Sequence, residues 1–197
     1  MTDAGAAGQS QWPAILTWRA HDVPRMESVR VHVSGNRIKA NGRIVAAATA
    51  SHPAFSASYD LVTDESGATK RLSMSVTLAD RERQLSIARD EENMWLVQQH
   101  SGQSSRAAYA GALDVDLIFS PFFNALPIRR TGLYLRDESV TLPVVYVRIP
   151  EMSVEAATIT YESSADGIKL DSPVAKTTIT VDADGFILDY PGLAERI

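Results

Sequence analysis

The chain reads as an all-β protein, and three observations predict that class. Apolar and polar residues alternate in run after run, most cleanly where Leu72, Met74, Val76 and Leu78 interleave with Arg71, Ser73, Ser75 and Thr77. Short clusters of Gly, Asn, Asp and Ser punctuate these runs about every 8 to 12 residues, the spacing of sandwiches, barrels and rolls. A helical apolar period appears in only one place, near residues 120–127. The 197 residues, 45% apolar and 22% charged, suit one globular domain, taken as 12–197 after a flexible N-terminal tail at 1–11.

In order, Ala14 to Trp18 forms a first strand, and His21-Asp22-Val23-Pro24 turns the chain. Val29, Val31 and Val33 then share one face of a second strand, opposite Arg30 and His32, before a hairpin turn at Ser34-Gly35-Asn36. Residues 37–50 read as one long strand with Gly42 at a bulge, because Ile38 to Ala40 is too short for a hairpin arm. From 54 to 97 an antiparallel meander is expected, with turns at 64–67, 79–82 and 90–93. The Ser- and Gln-rich segment 98–108 is the longest loop signal. Leu133 and Leu135 alternate with Tyr134 and Arg136. In 140–150 one face carries Val145, Val147 and Ile149 and the other Val144, Tyr146 and Arg148, so this strand is expected to be covered on both sides. Strands over 153–162, 175–181 and 186–190 complete the pattern, the last two joined by a turn at Asp182-Ala183-Asp184-Gly185.

The alternation breaks at Gly111 to Arg130. Asp114 and Asp116 fall on one face of a strand, with Leu113, Val115 and Leu117 on the other. Ser120 offers a cap, Pro121 suits a first helical position, and Pro127 is expected to stop the helix within about two turns. Arg129 and Arg130 follow at once. The two carboxylates can hold a divalent cation, act as an acid/base pair or fix sugar hydroxyls; equally, they can pair with the two arginines or face water. Arg129 or Arg130 can grip a carboxylate or phosphate, or form a plain ion pair. Trp18, Trp95, Phe122, Phe123 and Tyr146 are candidates for a cavity lining or for core.

Several chemistries are disfavoured. A net charge of −5 provides no basic face for nucleic acid or an anionic membrane. The absence of cysteine removes disulfides, thiolate nucleophiles and cysteine-ligated metal sites. His21, His32, His52 and His100 lack the companions of a metal site and are expected on surfaces or turns, so no metal and no cofactor is expected. The start has neither a signal-peptide pattern nor a membrane span, which suggests a cytoplasmic protein. No sequence feature fixes an oligomeric state.

A family resemblance emerges from specific motifs. Gly111-Ala112-Leu113-Asp114-Val115-Asp116, then Pro121-Phe122, Asn124, Leu126-Pro127-Ile128-Arg129-Arg130 and Gly132-Leu133, resembles the signature of a bacterial glycolipid-binding family long described as a domain of unknown function. The likeness continues through Val147-Arg148-Ile149-Pro150-Glu151-Met152-Ser153-Val154 and Tyr190-Pro191-Gly192-Leu193, and Trp18 and Glu27 stand where that family begins with a tryptophan and a glutamate. It spans nearly the whole chain from about Trp12.

The resemblance implies a large curled antiparallel sheet, a spiral β-roll or half-barrel shaped like lipoprotein carriers, around a cavity for a lipid or glycolipid. Combined with the residues, the leading expectation is a non-enzymatic binding protein. The polar head of its ligand would meet Asp114, Asp116, Asn124, Arg129 or Arg130, and Phe122, Phe123 and Tyr146 would line the interior. Trp18, Glu27 and Arg148 join the expected ligand-binding set as motif residues. The alternative expectation is a hydrolase or isomerase of a small sugar or acyl metabolite using Asp114 and Asp116, which requires a carboxylate sunk in a cavity with a raised pKa.

Overall fold

The computed structural model describes residues 12–197, so the tail expected at 1–11 lies outside the described residues. The first half is a meander of β1 (Ala14–Ala20), β2 (Arg25–Ser34), β3 (Arg37–Ala46), β4 (Phe55–Thr63), β5 (Thr69–Thr77), β6 (Glu82–Arg89), β7 (Trp95–Gln99) and β8 (Ser104–Ala107). Then come β9 (Asp114–Leu117) and the helix α1 (Pro121–Thr131). The second half is β10 (Ser139–Arg148), β11 (Ser153–Ser164), β12 (Gly167–Asp171), β13 (Lys176–Val181), β14 (Ile187–Tyr190) and β15 (Ala194–Arg196). The fifteen strands among the described residues share one curled sheet, in the order β8-β7-β6-β5-β4-β3-β2-β1-β15-β14-β13-β12-β11-β10-β9.

Two junctions depart from a simple meander. β15 pairs with β1, joining the two halves, and β9 runs parallel to β10. Parallel neighbours need a crossover, which α1 provides. That crossover lies within the curl, and residues Pro121 to Ile128 are all buried. A helix buried all round fits a short, strongly apolar segment better than an amphipathic one.

Packing inside the curl explains several local outcomes. β3 keeps an unbroken register on both sides, with Gly42 between Val29 of β2 and Tyr59 of β4, so the bulge expected at Gly42 is absent. A Cβ at Gly42 would fall 2.1 Å from Tyr59 Cζ, so glycine is required for the tyrosine ring that lies across it. Pro127 does not end α1, which continues to Thr131 rather than stopping near residue 127. Losing one backbone N–H is offset by burying Phe122, Phe123, Leu126 and Ile128. The stop is Gly132, left-handed at φ 73°, whose N–H donates to the carbonyls of Ile128 and Arg129.

Residues 133–136 form no strand: the chain turns there, with Leu133 buried and Leu135 exposed. The segment expected to be all loop, 98–108, contains the edge strand β8. β10 is covered on both faces as expected, with Val145 and Val147 in the larger core and Val144 and Tyr146 in a second cluster with Ile159, Tyr161 and Ile187. No helix among the described residues is long and apolar enough to cross a membrane.

Candidate functional site

One end of the curl is left unfilled by α1. There a cavity of about 640 Å³ opens between the β1–β2 turn, the β3–β4 loop, the β12–β13 turn, the β14–β15 turn and the segment from Asp116 to Ser120. Its size falls within the range of about 300 to 1,000 Å³ usual for small-molecule sites. Leu117, Ile118, Phe119, Val174 and Leu193 supply much of its apolar wall.

Asp116 and Tyr146 stand side by side in the parallel register of β9 and β10, and both line this cavity. Asp116 Oδ1 and Tyr146 Oη are buried, and neither has a hydrogen-bond partner among the described residues. Two strand neighbours with unpaired polar ends in one cavity are rarely left so without a reason. Burial pushes the Asp116 carboxyl up to about 7, aided by the nearby Asp114 charge. Burial and the Asp116 charge raise the Tyr146 phenol as well. Asn124, one turn into α1, also lines the cavity; its Oδ1 accepts from Tyr161 Oη at 3.0 Å, which leaves its amide N–H groups for other partners.

A second polar cluster supports the wall. Glu27 and Arg25 both occupy inward positions of β2. Glu27 Oε1 accepts from Tyr59 Oη at 2.7 Å and Ser120 Oγ at 2.5 Å, while its Oε2 receives the Phe122 N–H at 3.4 Å. The carboxylate thus sits at the positive end of α1, in place of a side-chain cap from Ser120. Burial still pushes its pKa up to about 7. The Arg25 guanidinium lies 4.4 Å from the centre of the Phe119 ring, and burial lowers its pKa. Phe119 itself adopts φ 74°, a left-handed backbone unusual for a bulky residue, and its ring lies against Phe55 and His52.

The structure thus divides the expected site residues. Asp116, Asn124 and Tyr146 meet at the cavity, whereas Glu27 lies behind the wall, where it holds Ser120. Phe122 and Phe123 do not line the cavity. They fill the centre of the curl, where Phe123 packs edge-on to Tyr59 at 5.1 Å and Phe122 stacks on Phe186 at 6.3 Å. Arg129 and Arg130 are not at the mouth, because the helix continues and carries them to its far end. Arg129 donates to the Asp184 carbonyl and covers Phe186, and Arg130 pairs with Asp114 at 2.6 Å.

Asp114 is therefore a buried ion-pair partner rather than part of the cavity, although burial outweighs Arg130 and leaves its pKa raised. Trp18 is core, its indole donating to the Ile187 carbonyl at 2.9 Å. Arg148, two residues along β10 from Tyr146, pairs with Glu155 at 2.8 Å and lies 5.0 Å from the centre of the Tyr146 ring, without lining the cavity. Arg25, Phe119, Tyr190 and Lys176 also stand in the cavity wall and were not among the expected site residues; His52, expected on a surface or turn, lies in the β3–β4 loop and is buried in the same wall. Tyr190 stood in a motif that could have indicated it. Arg25 is in phase with Val29 and Val31, which marks a charge at an inward position.

A solved structure shares this architecture. A DUF1089 family protein from Pseudomonas aeruginosa is similar over 99% of this chain and 100% of its own, with TM-score 0.69 and 23% identity, a likeness of fold. A β-barrel-like protein of the domain of unknown function DUF1849 from Brucella abortus shares 10% identity and TM-score 0.43 over 92% of each chain. No curated protein matches. Residues 15–196, nearly the whole described sheet with its helix and cavity, match the family described as "Putative glycolipid-binding", and the chain belongs to that family.

Proposed function

We propose that this protein binds, without catalysis, an amphipathic ligand of lipid or glycolipid type in the cavity at the open end of the curl. One observation carries the reading: a cavity of about 640 Å³ with largely apolar walls holds two buried polar atoms, Asp116 Oδ1 and Tyr146 Oη, that have no partner among the described residues. Apolar walls suit a hydrocarbon portion, and unpaired polar ends suit a head group. The family description supports the same class of ligand. Native mass spectrometry before and after denaturing release tests it, with lipid analysis of whatever is freed. A stoichiometric lipid or glycolipid is expected. A protein that stays empty after incubation with cell extract contradicts the reading.

A second reading is favoured by the Asp116 carboxyl, which sits near 7 beside a phenol. Such a group is suited to proton transfer, as a hydrolase or isomerase of a small sugar or acyl metabolite would need. Asp116 would act alone there, since Asp114 is held by Arg130. Turnover of a small metabolite that is lost in D116N would favour this reading over simple binding.

A further inference from the structure

We infer that the Asp116–Tyr146–Asn124 corner is a head-group subsite for an uncharged, hydroxyl-rich group such as a sugar or polyol, and that it discriminates against both anionic and cationic heads. The inference rests on the binding reading above and adds the class of head. Three facts support it. The corner combines a carboxylate oxygen that can only accept while ionised, a phenol that can donate or accept, and amide N–H donors from Asn124. Adjacent sugar hydroxyls, each donor and acceptor at once, satisfy such a mixed set, and a group without hydroxyls leaves part of it unpaired.

An anionic head is opposed at the same point. Asp116 stands there with the Asp114 carboxyl behind it, and the cations of the cavity wall are already engaged elsewhere. Lys176 pairs with Asp171 at 2.7 Å, and Arg25 lies over Phe119, donates to the Leu193 carbonyl at 3.4 Å and faces Glu27. A cationic head meets the opposite mismatch. An ammonium group has donors only, so even when paired with Asp116 it leaves the Asn124 N–H groups without an acceptor.

Three probes with one chain length separate these classes: n-octyl β-D-glucoside, n-octyl phosphate and n-octylamine, each titrated by calorimetry at pH 8, where the Asp116 carboxyl is ionised, and below its micelle-forming concentration. The glucoside is expected to bind at least about tenfold more tightly than either charged probe, as one lost hydrogen bond at a buried polar group implies. Y146F and D116N are each expected to weaken glucoside binding by about tenfold while octyl phosphate binding does not weaken. Octyl phosphate or octylamine binding as tightly as the glucoside overturns the subsite while leaving amphipath binding intact. Folded variants that bind the glucoside like the parent also overturn it. If no probe binds, both readings fall. The ranking of probes on the unaltered protein decides the matter even if a variant fails to fold.

Discussion

A carboxylate whose oxygen lacks a partner, buried beside a second carboxylate, works against folding, and Asp116 is in that position. Its proton is held up to about pH 7 in the folded chain, against an ordinary value of 3.8. Between those two values the folded state binds more protons than the unfolded one, so stability falls as pH rises and the full loss is present above about 7. Glu27, raised from 4.5 to about 7, acts in the same direction. D116N removes one of the two contributions. It should therefore be more stable than the parent at pH 8, by on the order of 3 kcal/mol, with little difference near pH 4. Urea titrations at the two pH values check this, and a variant weaker than its parent at pH 8 contradicts it. Asp116 and Tyr146 were legible because strand alternation dictates where such residues point. Phe119 was not, since nothing in a run of apolar residues announces a left-handed backbone at φ 74°. The loop position of His52 was legible but its burial was not, since that comes from Phe55 and Phe119, which the fold brings against it.

At the level of elements, α1 is held at both ends by carboxylates from strands. Glu27 of β2 takes the first turn, and Asp114 of β9 takes Arg130 near the last. The helix was legible from Ser120 and Pro121, but its length was not, because Pro127 is an ordinary stop signal that burial overrides. R130A should cost about 3 to 5 kcal/mol at pH 8, since it leaves the Asp114 charge buried without a partner. Adding D114N to R130A should recover a substantial part of that loss. Equal stability of the single and double variants would show that Arg130 contributes through packing alone. β3 supplies a second case. Ala at Gly42 would place a methyl carbon 2.1 Å from the Tyr59 ring, which must then swing away from Glu27. G42A is expected to lose about 1 to 3 kcal/mol, the usual range for overpacking a filled core, with loss of the ordered tyrosine signal in near-ultraviolet circular dichroism. Retention of both stability and signal would mean that the ring has room to spare.

Across the whole molecule, the all-β class and most strands were legible because period-two alternation is local, while closure was not. β8, β12 and β15 are short, and the 3-residue β15 has too few positions to show a period. Yet β15 is the element that joins β1 to β14, so the meander β1–β8 and the half β9–β14 are one sheet only through it. Its register with β1 sets Trp18 opposite Arg196 and Ala20 opposite Ala194. The turn before it, Pro191 to Leu193, forms part of the cavity wall. Closing the two ends of a chain is a contact of very long sequence separation, so it forms late and costs much chain entropy. Deleting residues 194–196 should therefore leave β1 and β14 with unpaired edges and widen the cavity mouth, without unfolding the local hairpins of the first half. Hydrogen exchange is expected to speed up in β1, β13 and β14 while the amides of β3 to β5 keep their protection. Amphipath binding should be lost in the same variant. Uniform loss of protection across the sheet would instead show that β15 is required for the whole cooperative unit, and unchanged protection in β1 and β14 would show that the packed core holds the two halves together without it.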